Sequence, residues 1–269
     1  MRIPFTKAHG ARNDFLLTWA GDGPGENLPE AARAICDRHT GIGADGWVLV
    51  EPAPQCEPAF HASIRLFNAD GSEAEISGNG TRCAAAFLLD SGMVEGGEVR
   101  IATGAGVKHL RLIERRGLAF SFEMRMGLPK VEDGQLRFPL PLASGPREVT
   151  ALNVGNPQCA VFVDSFQFDW RALGAEIESH PFFPNRTNVS FVRPVDEHTL
   201  EVRFYERGVG ETMSSGTGST GAAAAAILRG VASSPVRILT PAGPIDIRWD
   251  DEIYLTGPAE IVAGGEFYF

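Results

Sequence analysis

Two stretches of this chain share one pattern of serine, glycine and alanine residues, and they lie 138 positions apart. The first contains Ser77-Gly-Asn-Gly80 and the second Ser215-Gly-Thr-Gly218, and each runs into an alanine-rich segment. An apolar strand pattern precedes each motif, over residues 64–67 and 202–205. Glycines at a helix start leave its first backbone N–H groups open, and the helix dipole favours negative charge there. Each stretch therefore predicts an anion-binding helix N-terminus with a serine hydroxyl beside it.

The repetition of the motif decides between two interpretations of it. Serine is a favoured N-cap residue, so one copy alone is explained equally well as a capped helix start. A binding site is favoured by Asn68 and Glu206, which stand nine residues before Ser77 and Ser215. The same offset relates further matched residues, Arg65 with Arg203 and Glu73 with Glu211. This register predicts a duplicated domain, with a ligand held between the copies and the two serines approaching it from opposite sides.

Length and composition limit the function classes open to the chain. Its 269 residues suit two ordinary domains or one large one, and 43% hydrophobic with 22% charged residues is typical of a soluble globular protein. A net charge of −10 argues against nucleic-acid binding. No apolar run approaches the roughly 20 residues of a membrane span, and the N-terminus lacks the apolar region of a signal peptide. We therefore expect a cytoplasmic protein that binds neither nucleic acid nor a membrane.

The four cysteines, Cys36, Cys56, Cys83 and Cys159, are widely spaced and have no histidine at zinc-binding spacing. We therefore expect free thiols in a reducing compartment, and no metal site. Cys83 lies in the first alanine-rich segment and Cys159 opens an apolar run. Both are interpreted as core residues rather than nucleophiles.

Strand patterns outnumber helix patterns along the chain. Helical periodicity predicts helices over residues 28–39 and 170–178, in addition to the two alanine-rich helices. The Pro- and Gly-rich residues 127–150 are interpreted as the join between two lobes. We expect an α/β fold with mixed or antiparallel sheets, in which residues 1–118 form an N-terminal lobe and residues 119–260 a C-terminal lobe.

The two serine motifs and their surroundings resemble those of diaminopimelate epimerases. The resemblance covers essentially the full length, and its further motifs are His9-Gly-Ala-Arg-Asn-Asp-Phe15, Arg38-His-Thr-Gly-Ile-Gly-Ala-Asp-Gly46, Val154-Gly-Asn-Pro-Gln-Cys159, Arg186-Thr-Asn188 and Thr256-Gly-Pro258. It implies two pseudo-symmetric lobes, each a strand barrel around a central helix, with the last strand, at about 261–269, returning to the N-terminal lobe.

The resemblance also implies an activity and a set of site residues. The family forms a cytoplasmic homodimer that needs neither pyridoxal phosphate nor a metal, and it interconverts L,L- and meso-diaminopimelate on the route to lysine and peptidoglycan. The residues that would hold the distal and amino groups of this amino acid are Asn13, Asn68, Asn156 and Asn188. The residues that would engage its α-amino and carboxylate region are Glu206 and Arg207. The pairs that would bind the reacting α-carboxylate are Gly78 with Asn79 and Gly216 with Thr217.

The chain departs from the family pattern where the chemistry is expected. Two cysteines exchange the α-proton in the family, and the matching positions hold Ser77 and Ser215, while Gln158 stands where a histidine is common. A thiol ionises near pH ~8.5, whereas a serine hydroxyl is many units less acidic. A helix N-terminus contributes about 0.3–2 kcal/mol, on the order of one pKa unit, which does not close the gap. The predicted activity is therefore a weak or altered epimerase.

Three explanations of the serines stay open. They are exchanges introduced into a cysteine enzyme to trap substrate, a natural variant that acts as an epimerase or on another amino acid as a racemase, isomerase or dehydratase, or a protein that binds an amino acid without turnover. Ser214, Ser219, Thr220 and Gly221 also depart from the family pattern. Divergence this broad favours the natural variant.

Overall fold

The computed structural model describes residues 1–54 and 59–269, so Cys56 lies outside the described residues. Within this part the chain forms two compact units, one of residues 1–124 with 257–269 and one of residues 125–256. The domain boundary expected between residues 118 and 119 stays a prediction. Cys36, Cys83 and Cys159 are buried and unpaired, which agrees with the core positions predicted for the last two.

The elements of the first part of the chain are β1 (Arg2–Gly10), β2 (Asn13–Trp19), α1 (Leu28–Cys36), β3 (Gly46–Pro52), β4 (Ala62–Asn68), β5 (Glu73–Ala74), α2 (Gly78–Asp90), β6 (Glu98–Thr103), β7 (Gly106–Arg116) and β8 (Ala119–Gly127). Those that follow are β9 (Phe138–Leu140), β10 (Arg147–Asn153), β11 (Pro157–Phe162), α3 (Trp170–Glu178), β12 (Asn188–Asp196), β13 (Thr199–Glu206), β14 (Gly210–Thr212), α4 (Gly216–Leu228), β15 (Val236–Thr240), β16 (Gly243–Trp249) and β17 (Ile253–Tyr268).

The first unit is a closed barrel in the order β1-β2-β3-β4-β6-β7-β8-β17, with β17 pairing back to β1. The pairs β2–β3 and β4–β6 are parallel, and the hairpins β1–β2, β3–β4, β6–β7 and β7–β8 are antiparallel. Helix α2 packs against β1, β2, β3, β4 and β6, and it is buried from Gly78 to Leu89. The barrel therefore surrounds α2, and the return of the last strand to the N-terminal unit agrees with the expectation.

The second unit repeats this arrangement around α4. Its strands run in the order β9-β10-β11-β12-β13-β15-β16 and continue into the first residues of β17. The parallel pairs are β11–β12 and β13–β15, at the positions equivalent to those of the first unit. Helix α4 packs against β10, β11, β12, β13, β15 and β16, and its alanines 222–226 are fully buried. Small side chains let the helix sit close to strands on several sides.

Close packing explains why each serine motif ends in a glycine. A Cβ atom on Gly80 would lie 2.8 Å from Cδ1 of Leu66, and one on Gly218 would lie 2.8 Å from Cδ1 of Phe204. Leu66 and Phe204 are themselves 138 residues apart, in β4 and β13. Helices α2 and α4, each of 13 residues, are offset by the same distance. The predicted duplication and fold class are therefore confirmed.

The prediction for α1 was too long at its C-terminal end. The helix ends at Cys36 instead of His39. Asp37 Oδ1 accepts the backbone N–H groups of His39 and Thr40, at 2.8 and 2.6 Å, and this local turn replaces helical hydrogen bonds. Within residues 1–54 and 59–269, no helix has the length and apolar character needed to cross a membrane.

Candidate active site at two helix N-termini

The two serines cap their helices in the same way. Ser77 Oγ accepts the backbone N–H of Gly80 at 3.1 Å, and Ser215 Oγ accepts that of Gly218 at 3.1 Å. Both serines have extended backbone, with φ of −128° and −139°. The capping interpretation of the motif is thus correct for both copies, and it does not exclude a binding role. We call Ser77 to Arg82 with Asn13 and Asn68 the α2 site, and Ser215 to Gly221 with Asn156, Gln158, Asn188, Glu206 and Arg207 the α4 site.

Each helix start leaves two backbone donors open. In the described part of the chain, the N–H groups of Gly78 and Asn79 have no hydrogen-bond acceptor, and the same holds for Gly216 and Thr217. Open N–H groups at a helix start, combined with the positive end of the helix dipole, suit a carboxylate. The geometry therefore supports the anion-binding role that the sequence predicts for both pairs.

Asn79 is held in place in the α2 site from two sides. Its Nδ2 donates to Asn13 Oδ1 at 3.1 Å, and Asn13 Nδ2 in turn donates to Asp45 Oδ2 at 2.7 Å. From within the helix, Arg82 Nη2 donates to Asn79 Oδ1 at 2.5 Å. The side-chain amides of Asn13 and Asn79 are therefore oriented before any ligand binds. To bind a ligand, Asn13 would have to give up its hydrogen bond to Asp45 or to Asn79.

Asn68 stands apart from the other predicted residues of the α2 site. Its Nδ2 donates to Ser72 Oγ at 2.9 Å, within the turn between β4 and β5. In the described residues it makes no hydrogen bond to Asn13, Ser77 or Asn79. The Ser77 hydroxyl likewise has no acceptor for its own proton among those residues.

Glu206, which occupies the equivalent position to Asn68, behaves differently in the α4 site. Its carboxylate accepts a short hydrogen bond from the Ser215 hydroxyl. Residue 206 keeps some exposed surface, but protein atoms surround its carboxyl group. This desolvation raises the pKa of Glu206, and the hydrogen bond from Ser215 opposes the rise. A carboxyl group with a raised pKa in contact with a hydroxyl has the geometry needed to exchange a proton with it.

A chain of amides lies beside the first turn of α4. Gln158 Nε2 donates to Asn156 Oδ1 at 2.7 Å, and Asn156 Nδ2 donates to Thr217 Oγ1 at 3.3 Å. Gln158 is 2% exposed and its Oε1 has no partner among the described residues. A Cβ atom on Gly221 would lie 3.0 Å from both Cβ and Cγ of Gln158. Gln158 and Gly221, which the sequence analysis names as two departures from the family pattern, therefore pack directly against each other.

Asn188 is fixed by the backbone. Its Nδ2 donates to the carbonyl of Pro157 at 3.1 Å, and its Oδ1 accepts the backbone N–H of Arg207 at 3.0 Å. Arg207 Nη1 donates to the carbonyl of Asn185 at 3.1 Å. The structure thus brings Asn188 and Arg207 together. Both the nitrogen and the oxygen of the Asn188 side-chain amide are hydrogen-bonded within the protein.

The predicted residues fall into contacting groups, and the sequence reasoning missed one residue. Asn13 meets Asn79, Asn156 meets Thr217, Asn188 meets Arg207 and Glu206 meets Ser215, whereas Asn68 is separate. The missed residue is Arg82, whose guanidinium is fully buried beside the first turn of α2. Its signal in the sequence was an arginine within an otherwise apolar helix. Among residues 1–54 and 59–269, no cluster of three or more His, Cys, Asp or Glu side chains is placed to hold a metal ion.

Comparisons with known proteins identify the family to which the chain is similar. The family model described as diaminopimelate epimerase matches residues 5–131 and 150–262. A diaminopimelate epimerase of Pelotomaculum thermopropionicum is 38% identical over 98% of this chain and 98% of its own length. Another, of an Azoarcus species, is 39% identical over 99% of both chains.

Solved structures show the same fold at lower sequence identity. A hydroxyproline epimerase from Agrobacterium vitis superposes with a TM-score of 0.74 at 17% identity, over 98% of this chain and 92% of that one. A methylitaconate-delta-isomerase superposes with a TM-score of 0.70 at 16% identity, over 99% of this chain and 95% of that one. At such identities the likeness concerns the fold alone.

Proposed function

We propose, since the chain belongs to the diaminopimelate epimerase family, that Ser77 and Ser215 stand at the acid–base positions of a cofactor-independent amino-acid epimerase. The prediction of an isomerase of diaminopimelate type is confirmed by the family match and by the curated relatives. The roles of individual residues, a homodimer and a cytoplasmic location are parts of the proposal.

The hydrogen bond between Ser215 and Glu206 is the observation that carries the proposal. A serine hydroxyl alone is a poor base, because its alkoxide is scarce near neutral pH. When the Ser215 proton is already directed at a carboxylate, the oxygen can accept a proton from a ligand while Glu206 takes up its own. The raised pKa of Glu206 brings this carboxyl closer to the range in which it both accepts and returns a proton.

Ser77 has the opposite surroundings and is suited to the opposite step. Its oxygen accepts the Gly80 N–H, and the described residues offer its proton no acceptor. Such a hydroxyl is oriented to donate its proton to a ligand rather than to withdraw one. Proton transfer at Ser77 without a thiol or a carboxylate is expected to be slow, so overall turnover is limited on this side.

The open N–H groups define the ligand chemistry. Gly78 with Asn79, and Gly216 with Thr217, are proposed to bind an α-carboxylate. Asn13, Asn68, Asn156 and Asn188 are proposed to hold the remaining polar groups of diaminopimelate, as the family resemblance implies. Asn13 and Asn188 would exchange protein partners for ligand when they do so.

A second function is favoured by the state of Ser77. Because no base contacts this hydroxyl among the described residues, a protein that binds an amino acid and does not epimerise it would show the same α2 site. A related isomerisation that needs one proton-transfer pair only is a variant of the first function, since the α4 site holds one such pair.

The deciding experiment is α-proton exchange. The protein is incubated with L,L-diaminopimelate in D2O, and loss of the α-proton signal is followed by NMR. We expect slow exchange in the wild type, and exchange faster by about 10²–10⁴-fold in a Ser77→Cys/Ser215→Cys double variant. Ser91→Cys is the matched control, because it adds a thiol on an exposed serine at the end of α2.

Each outcome assigns a function. Exchange in the wild type supports epimerisation through hydroxyls. Exchange in the double variant alone would show an intact epimerase pocket whose serines do not turn substrate over, and would favour the binding function. Absence of exchange in both proteins would overturn diaminopimelate as the substrate.

A further inference from the structure

We infer that Arg82 is a positioning residue of the α2 site, which supplies the positive charge that a bound carboxylate neutralises and fixes the side chain of Asn79. The inference rests on the proposed function, and it deepens it by assigning carboxylate recognition to one of the two helices. Its basis is the burial, the hydrogen bonds and the charge balance of a single guanidinium.

The guanidinium of Arg82 lies entirely inside the first unit. The residue is 0% exposed. Its Nε donates to the carbonyl of Pro258 at 3.0 Å, its Nη1 to the carbonyl of Gly78 at 3.3 Å, and its Nη2 to Asn79 Oδ1 at 2.5 Å. All three acceptors are neutral. The charge therefore lies against the first turn of α2, in contact with the carbonyl of Gly78 and the side chain of Asn79, the two residues whose backbone N–H groups are open.

No carboxylate among the described residues pairs with this guanidinium. Burial lowers the pKa of Arg82 to about 10, so the group stays charged at neutral pH. An unpaired buried charge strongly opposes folding. A ligand carboxylate bound at the start of α2 would supply the negative charge that the protein does not place beside Arg82.

Two glycines lie against the guanidinium of Arg82 where a side chain would collide with it. A Cβ atom on Gly257 would lie 3.0 Å from Cζ of Arg82, and one on Gly10 would lie 3.2 Å from its Nη2. Two glycines from distant parts of the chain thus leave the space that the group fills. Such packing indicates a side chain held in one position, as a positioning role requires.

The α4 site lacks this charge at the equivalent place. The residue 138 positions after Arg82 is Thr220, whose Oγ1 donates to the carbonyl of Gly216 at 2.9 Å. Arg82 Nη1 makes the corresponding contact to Gly78. The helix-start contact is therefore common to both sites, whereas a fully buried guanidinium at the helix start is found only in α2 among the described residues. The cation of the α4 site, Arg207, donates to the carbonyl of Asn185, and the cap of α4 is contacted by the Glu206 carboxyl. Charge recognition at the helix start is therefore assigned to α2.

The test compares a charged ligand with a neutral one of nearly the same size. Binding of diaminopimelate and of its bis-carboxamide is measured by calorimetry for the wild type, Arg82→Gln, Arg82→Lys and, as the matched control, Arg116→Gln, which removes an exposed guanidinium at the end of β7. We expect Arg82→Gln to weaken diaminopimelate binding by roughly ten- to hundredfold and to bring the affinities for the two ligands closer together. Arg82→Lys should keep most of the preference for the carboxylate, and Arg116→Gln should leave that preference unchanged.

Two results would overturn the inference. One is an Arg82→Gln protein that still prefers diaminopimelate as strongly as the wild type, and the other is an equal loss of preference in the Gln and Lys variants. If the wild type does not bind diaminopimelate at all, the proposed function itself is wrong and the inference falls with it. A wild type that binds while the Arg82 variants keep its preference overturns the inference alone.

A second variant covers the case in which Arg82→Gln does not fold. Asn79→Asp places a carboxylate on the guanidinium, at the position of the present 2.5 Å contact. The matched control is Asn79→Ala, which loses the same hydrogen bond to Asn13 Oδ1 without adding a charge. If the charge of Arg82 is unpaired, Asn79→Asp should melt at a higher temperature than Asn79→Ala and bind diaminopimelate at least about tenfold more weakly than the wild type. A lower melting temperature for Asn79→Asp than for Asn79→Ala would contradict an unpaired charge.

Discussion

The α2 and α4 sites have the same helix-start geometry and differ in the charged group that contacts it. In both, a serine caps a 13-residue helix and leaves two N–H groups open. The buried guanidinium of Arg82 contacts the first turn of α2, whereas the carboxyl group of Glu206 contacts Ser215, the cap of α4. Each charged residue has an uncharged counterpart at the offset of 138. Glu206 corresponds to Asn68, and Arg82 corresponds to Thr220.

This difference shows which features of a duplicated site follow from its backbone. The caps and the two glycines are fixed by close packing of the helix start against β4 and β13, so they recur. The charged groups differ between the copies, since the guanidinium of Arg82 contacts the start of α2 and the carboxyl group of Glu206 contacts the cap of α4. Under the proposed function, both helix starts bind a carboxylate, Arg82 adds a positive charge to the first, and Glu206 adds a proton acceptor to the second.

The largest expected effect is a difference between two introduced thiols. In Ser77→Cys the thiol would lie at a helix start near Arg82, whereas in Ser215→Cys it would contact the Glu206 carboxylate. A cation and a helix N-terminus lower a thiol pKa, and a neighbouring carboxylate raises it. We expect the thiolate at 77 to form about one pH unit or more below that at 215, measured from thiolate absorbance at 240 nm.

The wild type supplies the background for this titration. Burial raises the pKa of Cys36 and of Cys83 to about 12, so neither thiol titrates in the range of interest. Glu206→Gln in the Ser215→Cys background should lower the pKa of the introduced thiol. Equal titration at 77 and 215 would show that the charge difference between the two sites is without effect.

The next effect tests the contact between Gln158 and α4. Gly221→Ala would force a Cβ atom to within 3.0 Å of Gln158 and is expected to destabilise the fold by about 1–3 kcal/mol. With Gln158→Ala in addition, the contact with Cγ disappears while the 3.0 Å contact with Cβ remains, so the double variant should recover only part of this loss. The better helix propensity of alanine, worth up to about 1 kcal/mol, adds to that recovery. Urea unfolding of both single variants and the double variant measures the coupling, and additive effects would contradict it.

Much of the fold could be predicted from the sequence because the duplication repeats local signals. The helix starts at Gly78 and Gly216 follow from Ser-Gly-x-Gly, and the strands before them follow from short apolar runs. The end of α1 could not be predicted, because helical periodicity continues past Cys36 and only the Asp37 turn stops it. The closing of the first barrel by β17 came from family resemblance, since pairing of residues 2 and 268 leaves no local signal.

The site was predictable as a set of residues, and its contacts were not. Glu206 and Ser215 were both named, but their hydrogen bond depends on how β13 and β14 turn back towards α4. Arg82 was overlooked because an arginine in a helix is ordinarily exposed. Gln158 and Gly221 were noted as separate departures, because a contact between β11 and α4 cannot be seen in either segment alone.

A smaller effect separates two carboxylates by the sign of their pH dependence. Desolvation raises the pKa of Glu206, so the folded protein binds this proton more tightly than the unfolded chain does. Stability relative to Glu206→Gln should therefore fall as pH rises from the ordinary value of 4.5 through the raised pKa. The hydrogen bond from Arg65 lowers the pKa of Glu73, so stability relative to Glu73→Gln should instead fall as pH drops from 4.5 through the lowered pKa. Urea unfolding at several pH values checks both signs, and parallel profiles would refute the assignment.

The smallest expected effect concerns the ion pair between Arg65 and Glu73. Its counterparts in the second unit by sequence are Arg203 and Glu211. Glu73 pairs with Arg65 at 2.8 Å, but at the matched position Glu211 pairs with Arg171, Nη2 to Oε1 at 2.8 Å, while Arg203 pairs with Glu201 at 2.6 Å. Double-mutant cycles should give a coupling of about 0.2–1 kcal/mol for Arg65 with Glu73 and for Arg171 with Glu211, weakened by high salt. The cycle for Arg203 with Glu211 should give a coupling close to zero. A coupling there as large as in the first unit would mean that the duplication preserved this ion pair, and that side chains at the rim of the two sites diverged less than the charges at their helix starts.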